Sequence, residues 1–457
     1  MKKLNALILI ILFSAIGFAQ EKENTYVLFT NVNVFDGKSE SLSKSNVLVE
    51  NNMIKKIGSS INAPEGATVI DGKGGTLMPG LIDSHVHFAM NGSGLADIEN
   101  NKTWEDIAIG SAAMAKMYLM EGFTTVRDMG GSNGGLRRAI DAGLVDGPRH
   151  YSAGAFIGGR GGHADFANYT SLPGDPTNME RLNLAKQISG ADEVIMAARH
   201  NFRMGATHLK VMQTGGVASL LDPWQLNGLT LEELKAAVEI ADSYGSYVGA
   251  HSYSADAILR ALDAGVKTIE HGFLFNDEIN EKMKEKGAYI TTNLTAFSPL
   301  LADISALNDP RNQYKLQTAT EAMKDYIPNV KRLKPKRGFQ TDCVGPSVPC
   351  QSQVAYEKYL GGDFFGNFET LKSLTSTNGE IIALTGKVIN PYPYGKVGVI
   401  EEGAYADILV VDGNPLKDLS VIGANPKWFD AEYRPNGVET IKVIMKDGKF
   451  YKNTMED

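Results

Sequence analysis

The sequence predicts an α/β chain: a TIM (β/α)8 barrel carrying a small, discontinuous β-sandwich domain built from both chain ends. Three features lead there. Strands with period-two alternation cluster near the start and return near the end, apolar strand-like runs alternate with helical stretches in between, and histidines stand at the ends of several of those runs.

Residues 1–19 read as a signal peptide. Lys2 and Lys3 precede an apolar run over 6–18, which falls short of the roughly 20 residues a spanning helix needs. Gly17 and Ala19 supply small residues for a cleavage site, with an uncleaved anchor as the alternative. The mature protein is therefore expected to be exported, periplasmic or secreted, and free of the membrane after processing. Residues 20–79 form the first part of the sandwich: segments 26–29, 46–49 and 53–57 alternate with period two, and Asp36-Gly37 and Asp71-Gly72 mark turns. Its second part is 392–457, where 407–411 and 440–445 read as strands and Lys446-Asp447-Gly448 as a hairpin turn. Chain termini often lie close together, which lets two such ends share one domain.

The barrel is assigned to 80–391, long enough for eight βα units. Its clearest units follow Leu229. Thr230 with Glu233 makes a capping box, and Leu231, Leu234, Val238 and Ile240 give the next helix an apolar face. A strand over 247–250 comes next, then a helix over 254–264 stopped by Gly265, then a strand at Thr268-Ile269.

Of the 457 residues 43% are apolar and 21% charged, and the formal net charge of -8 is spread along the chain. No Lys/Arg block is long enough for a nucleic-acid groove, and even the basic stretch 331–337 is interrupted by Leu333 and Pro335. Nucleic acid is thus not an expected partner. The two cysteines, Cys343 and Cys350, are near enough to bridge in an oxidising compartment. Free thiols and zinc ligation stand as alternatives, the last weakened by wide spacing and the lack of a nearby histidine.

Candidate chemistry concentrates at strand ends. His85 and His87 flank one residue, so period two puts both imidazoles on one face of an extended strand, as joint ligands of a metal or as packing residues. His251 follows the strand 247–250 and His271 follows Thr268-Ile269-Glu270; in a TIM barrel the C-terminal strand ends converge. Lys210 lies in the apolar segment His208-Leu209-Lys210-Val211-Met212, where a charge needs a partner, ordinarily a carboxylate. Asp342 closes what reads as the last strand and offers a hard oxygen ligand or a base, with loop capping as its plain structural role. Arg127, at the end of another strand, could receive a substrate carboxylate or pair internally with Asp128 or Asp83.

The order His-x-His, Lys, His, His, Asp along strand ends resembles the amidohydrolase superfamily, over nearly the whole mature chain. The words Pro79-Gly80-Leu81-Ile82-Asp83, Thr214-Gly215-Gly216-Val217, Ala250-His251-Ser252-Tyr253 and Ile269-Glu270-His271-Gly272 resemble its prolidase-like, Xaa-Pro dipeptidase-like branch, whose relatives include ochratoxin-hydrolysing enzymes. The resemblance implies two divalent metal ions, expected to be zinc. His85, His87 and Asp342 would hold one and His251 and His271 the other, with Lys210 as N6-carboxylysine and a hydroxide bridging them. It also implies that Asp342 moves the proton in catalysis, and that His163 and Tyr253 are catalytic and substrate-binding donors at the scissile carbonyl. His163 sits in the glycine-rich run Gly161-Gly162-His163-Ala164-Asp165, for which a merely mobile loop is the competing reading.

A metal-dependent hydrolase of amide or peptide bonds follows as the expectation, acting on a dipeptide or N-acyl amino acid with a free carboxylate, ochratoxin-type amides included. Deamination is disfavoured because Tyr253 stands where such enzymes place a glutamate, and because Lys210 is present. A lactonase or phosphotriesterase would use the same hydroxide and stays open, whereas the filled ligand positions oppose a metal-free scaffold. A homo-oligomer is expected. The stretch 308–336 and the loop 343–353 are expected to flank the site and set its substrate preference.

Overall fold

The computed structural model describes residues 24–172, 174–219, 222–303 and 307–455; the segment read as a signal peptide lies outside them. β1 (Tyr26–Val34), β2 (Ser43–Glu50) and β3 (Met53–Gly58) form an antiparallel meander that buries Val27, Phe29, Val47, Val49 and Ile54. β4 (Thr68–Asp71) and β5 (Thr76–Pro79) then run parallel to β1 on successive stretches of one edge, β4 along 27–30 and β5 along 33–34.

The barrel strands are β6 (Leu81–Val86), β7 (Phe123–Asp128), β8 (Arg149–Ser152), β9 (Phe156–Gly159), β10 (Ala185–Ile188), β11 (Leu209–Met212), β12 (Val248–Ser252), β13 (Thr268–His271), β14 (Tyr289–Thr292) and β15 (Arg337–Phe339). All their pairings are parallel, in two arcs ordered β6-β7-β8 and β10-β9-β11-β12-β13-β14-β15. Two backbone bonds link the arcs, from Thr207 N–H to the Ser152 carbonyl and from Asp342 N–H to the His85 carbonyl. The third barrel position is split, because β8 pairs with β7 and, after a break at 153–155, β9 pairs with β11. β6, β7 and β11 to β15 are buried along their whole length, without alternation, as parallel strands covered by helices must be.

Local signals place the outer helices. The helix Leu231–Ser243 starts at the Thr230/Glu233 capping box, and Ala255–Ala264 stops at Gly265, whose φ of 106° is left-handed. Leu234, Ala237 and Ile240 pack inward on Val211, Val248 and Ile269. The stretch 308–336 is mostly helical, Pro310–Met323 and Tyr326–Leu333. Beyond β15, Cys343 and Cys350 are joined in a disulfide at the entrance to the helix Ser347–Phe365.

The chain then returns to its first sheet. β16 (Ile408–Val411) pairs with β5, β17 (Ile441–Lys446) with β16, and β18 (Lys449–Asn453) with β17. The sheet thus contains eight strands from both chain ends, and one apolar core unites Phe29 and Leu77 with Ile408, Val443 and Met445. Asp447 and Gly448 turn the last hairpin with φ of 55° and 72°, the left-handed pair that matches strand twist. No helix among the described residues is long and apolar enough to cross a membrane.

Candidate metal centre

Residues distant in sequence meet at the C-terminal mouth of the barrel. His85 Nε2 lies 3.1 Å from His87 Nε2, and Asp342 Oδ1 lies 3.4 Å and 3.3 Å from them. Ligand atoms of these three residues all fall within 4.8 Å of one another, a group that can hold a metal ion. On the other side of Asp342, its Oδ2 is 3.9 Å from His271 Nδ1, and the His271 ring stands 4.5 Å from that of His251. Lys210 Nζ reaches His85 Nε2 at 3.3 Å.

Strand periodicity accounts for part of this convergence. It aligns His85 with His87, although His87 lies just past the end of β6. It does not account for His271, which directly follows the inward-facing Glu270 and would be sent by alternation to the opposite face. Its φ of 71° turns it toward the mouth instead, and Asp342 has φ of 52°. Asp342 also lies beyond the strand it was expected to close, since β15 ends at Phe339. Left-handed backbone at two non-glycine residues of one site is strain held in place by its surroundings.

Those surroundings form a buried polar floor. Glu270 accepts from His85 Nδ1 at 3.0 Å, from Arg127 Nη2 on both oxygens at 3.0 Å and 2.9 Å, and from the hydroxyls of Thr268 and Thr291. Burial alone would raise the Glu270 carboxyl, but the Arg127 guanidinium and the His85 bond hold it well below its usual range. The expectation that Arg127 receives a substrate carboxylate is therefore corrected: it is fully enclosed, and it pairs neither with Asp128 nor with Asp83 but with Glu270. Glu270, within Ile269-Glu270-His271-Gly272, has no place in the sequence-based ligand set. Its place two residues from Thr268, on the inner face of a parallel strand, was the legible signal that it needs a buried cation.

The floor also fixes ring orientation. Nδ1 of His85 is on Glu270, Nδ1 of His87 on the Gly130 carbonyl and Nδ1 of His271 on Asn293 Oδ1, so Nε2 of His85 and His87 is turned toward Asp342. Burial pushes His85 down to about 3 and His271 down to about 4, so near neutral pH both are uncharged and offer lone pairs. Burial would raise Asp342, but the surrounding imidazoles of His85, His87 and His271 keep it ionised. Lys210 is fully buried and makes no ion pair among the described residues; burial pulls its ammonium down to about 8. The ordinary expectation of a carboxylate partner thus fails for Lys210.

Around the mouth, the His163 ring stacks on His251 at 4.3 Å, and Tyr253 lies 4.8 Å from His251 and 5.3 Å from His271. His163 does not hang on a loose loop. Its Nδ1 is 2.9 Å from Asp222 Oδ2, a contact that joins parts of the chain 59 residues apart and that no local pattern announces. Gln353 donates to the Thr341 carbonyl beside Asp342, so the stretch 343–353 does border the site, although from Ser347 onward it is helix rather than loop.

Comparison with known proteins supplies the family. Residues 76–381 match the Amidohydrolase family. The chain belongs to that family. It is a hydrolase of amide bonds, built as a TIM barrel with a β-sandwich domain, as the sequence predicts. This amidohydrolase is 28% identical over 436 residues to an ochratoxinase of Aspergillus niger, covering 91% of this chain and 84% of the relative. Among solved structures it is similar to a prolidase complexed with N-methylphosphonate-L-proline, with TM-score 0.83, 29% identity, and coverage of 94% of this chain and 100% of the other. A Xaa-Pro dipeptidase with bound methionine in its active site matches with TM-score 0.77, 28% identity and the same coverage.

Proposed function

We propose that this amidohydrolase is a binuclear metal-dependent amidase that cleaves dipeptides or N-acyl amino acids with a free carboxylate, ochratoxin-type amides among them. The observation that carries this reading is Lys210, a buried lysine with no ion pair among the described residues, beside His85 and in the field of Glu270 and Asp342. Addition of CO2 to its neutral amine, with loss of a proton, would turn an unpaired cation into an anionic ligand. His85, His87 and Asp342 would hold one cation, and His251 and His271, whose rings stand 4.5 Å apart, would hold the second together with carboxylated Lys210. The donor set of imidazole and carboxylate suits zinc.

Two divalent cations there would polarise the substrate carbonyl and acidify a water molecule. The protein's own residues do the rest. Asp342 takes the proton from the attacking water and returns it to the leaving nitrogen, which departs poorly without it. Tyr253 and His163 donate to the carbonyl oxygen as negative charge builds on it, His163 through Nε2 because Asp222 engages Nδ1. Arg127 has no free edge, so a substrate carboxylate must be met by other groups. The Cys343–Cys350 disulfide supports an exported, oxidising location.

Purified protein supplied with zinc and bicarbonate should release free amino acid from a panel of dipeptides and N-acyl amino acids. Turnover confined to lactones, phosphotriesters or aminopurine nucleosides offered alongside would contradict the amidase reading.

A further inference from the structure

His163 owes its position to residues outside the barrel's strand ends. Asp222 Oδ2 accepts from His163 Nδ1 and from Gly216 N–H, each at 2.9 Å. Gly216 itself lies against the ring, where an added Cβ would come within 2.2 Å of His163 Cε1. Gly216 and Asp222 therefore grip the imidazole while it stacks on His251.

One ammonium holds both of them. Lys315 Nζ donates to the carbonyls of Gly216 and Asp222, each at 2.7 Å, and lies 3.5 Å from Ser219 Oγ. Lys315 is buried and belongs to the helix Pro310–Met323, 99 positions beyond Gly216 in sequence. Further contacts tie the same helix to this side of the site. Asn312 Nδ2 donates to the Ala218 carbonyl, Trp224 Nε1 donates to Thr318 Oγ1, and Ala319 and Met323 pack with Trp224 and Tyr253.

Charge-assisted bonds from a buried ammonium to main-chain carbonyls are short and strong, and removing the donor leaves two carbonyls without it. We propose that Lys315 is a positioning residue for His163: it clamps the carbonyls of Gly216 and Asp222, so that a helix outside the metal centre sets the rate of the reaction. This rests on the amidase reading, in which His163 meets the scissile carbonyl. A displacement of about 1 Å in such a donor is enough to cost roughly 100-fold in rate.

The test is a double-mutant cycle on the full zinc-loaded protein with Lys315→Met, His163→Ala and the pair, using alanyl-proline and N-acetyl-phenylalanine as substrates. Lys315→Met should lower kcat by roughly 10- to 100-fold, with zinc content unchanged and KM within about threefold. In the His163→Ala background it should cost less than about threefold more, because the two act through one contact. Amide exchange at Gly216 should accelerate in Lys315→Met. Wild-type kcat in Lys315→Met, or an undiminished penalty in the His163→Ala background, would overturn the proposal. If wild-type protein cleaves neither amide, the amidase reading fails, and unchanged exchange at Gly216 would separately overturn the clamp.

Discussion

The floor of the site and its rim are built in opposite ways. Below the candidate ligands, Arg127 on β7 reaches across the barrel interior to Thr268 and Glu270 on β13, and Thr291 on the neighbouring β14 donates to the same carboxylate. At the rim, His163 is positioned by Asp222 and Gly216, and these by Lys315 from a helix inserted after β14. Barrel strands thus supply the whole floor, while the rim depends on residues from connecting segments and an outer helix. Changes in the floor should cost stability and metal affinity together, and changes in the rim should cost turnover alone.

The largest effect is expected where floor and rim meet. Asp342→Asn should lower amide turnover by about 10²- to 10⁴-fold, measured as kcat at saturating substrate. Next comes the floor. Glu270→Gln leaves Arg127 buried beside a neutral partner, and chemical denaturation should show a loss of about 3–5 kcal/mol. Zinc competition should show affinity weakened roughly 10- to 100-fold in the same variant. Arg127→Met should likewise destabilise; a raised KM with unchanged stability would restore its substrate-binding role and break the contrast.

Lys210 gives a pH signature of the floor. Its folded value of about 8 lies below the ordinary 10.5, so the native state releases that proton first and stability rises with pH between those values. Below pH 8 the buried ammonium costs its full amount. In metal-free, bicarbonate-free buffer Lys210→Met should therefore be the more stable protein at pH 7, by about 3 kcal/mol, with the gap closing toward pH 10.5.

At the rim, Gly216→Ala should displace His163 and lower kcat roughly 10- to 100-fold with zinc content unchanged. Its φ is not left-handed, so this substitution tests space rather than backbone strain. The smallest effect lies outside both regions. Thr230→Ala removes the helix cap at Glu233 N–H and should cost about 1 kcal/mol in denaturation, with turnover unchanged.

The same contrast explains what could be read from sequence. Local patterns foretold the Thr230/Glu233 cap, the stop at Gly265 and the turn at Asp447-Gly448 because each is decided within a few residues. His-x-His spacing placed His85 and His87 together through strand periodicity. The partner of Arg127 is not legible locally, because Glu270 lies 143 residues away on a strand that faces it across the interior only when the barrel closes. Asp222 and Lys315 are illegible for the same reason: their contacts span 59 and 99 residues, and neither has a spacing that marks it. The left-handed turns at His271 and Asp342 were also invisible, since nothing in either local sequence demands positive φ there.

The most direct test is metal stoichiometry in wild-type protein and Lys210→Ala, each prepared with zinc and bicarbonate and assayed for amide turnover. A binuclear centre built on a carboxylated lysine predicts about two zinc ions per wild-type chain with turnover. It predicts at most one, with turnover lost, in the variant. An active wild-type chain holding a single metal, or a Lys210→Ala chain that still binds two and cleaves amides, would contradict it.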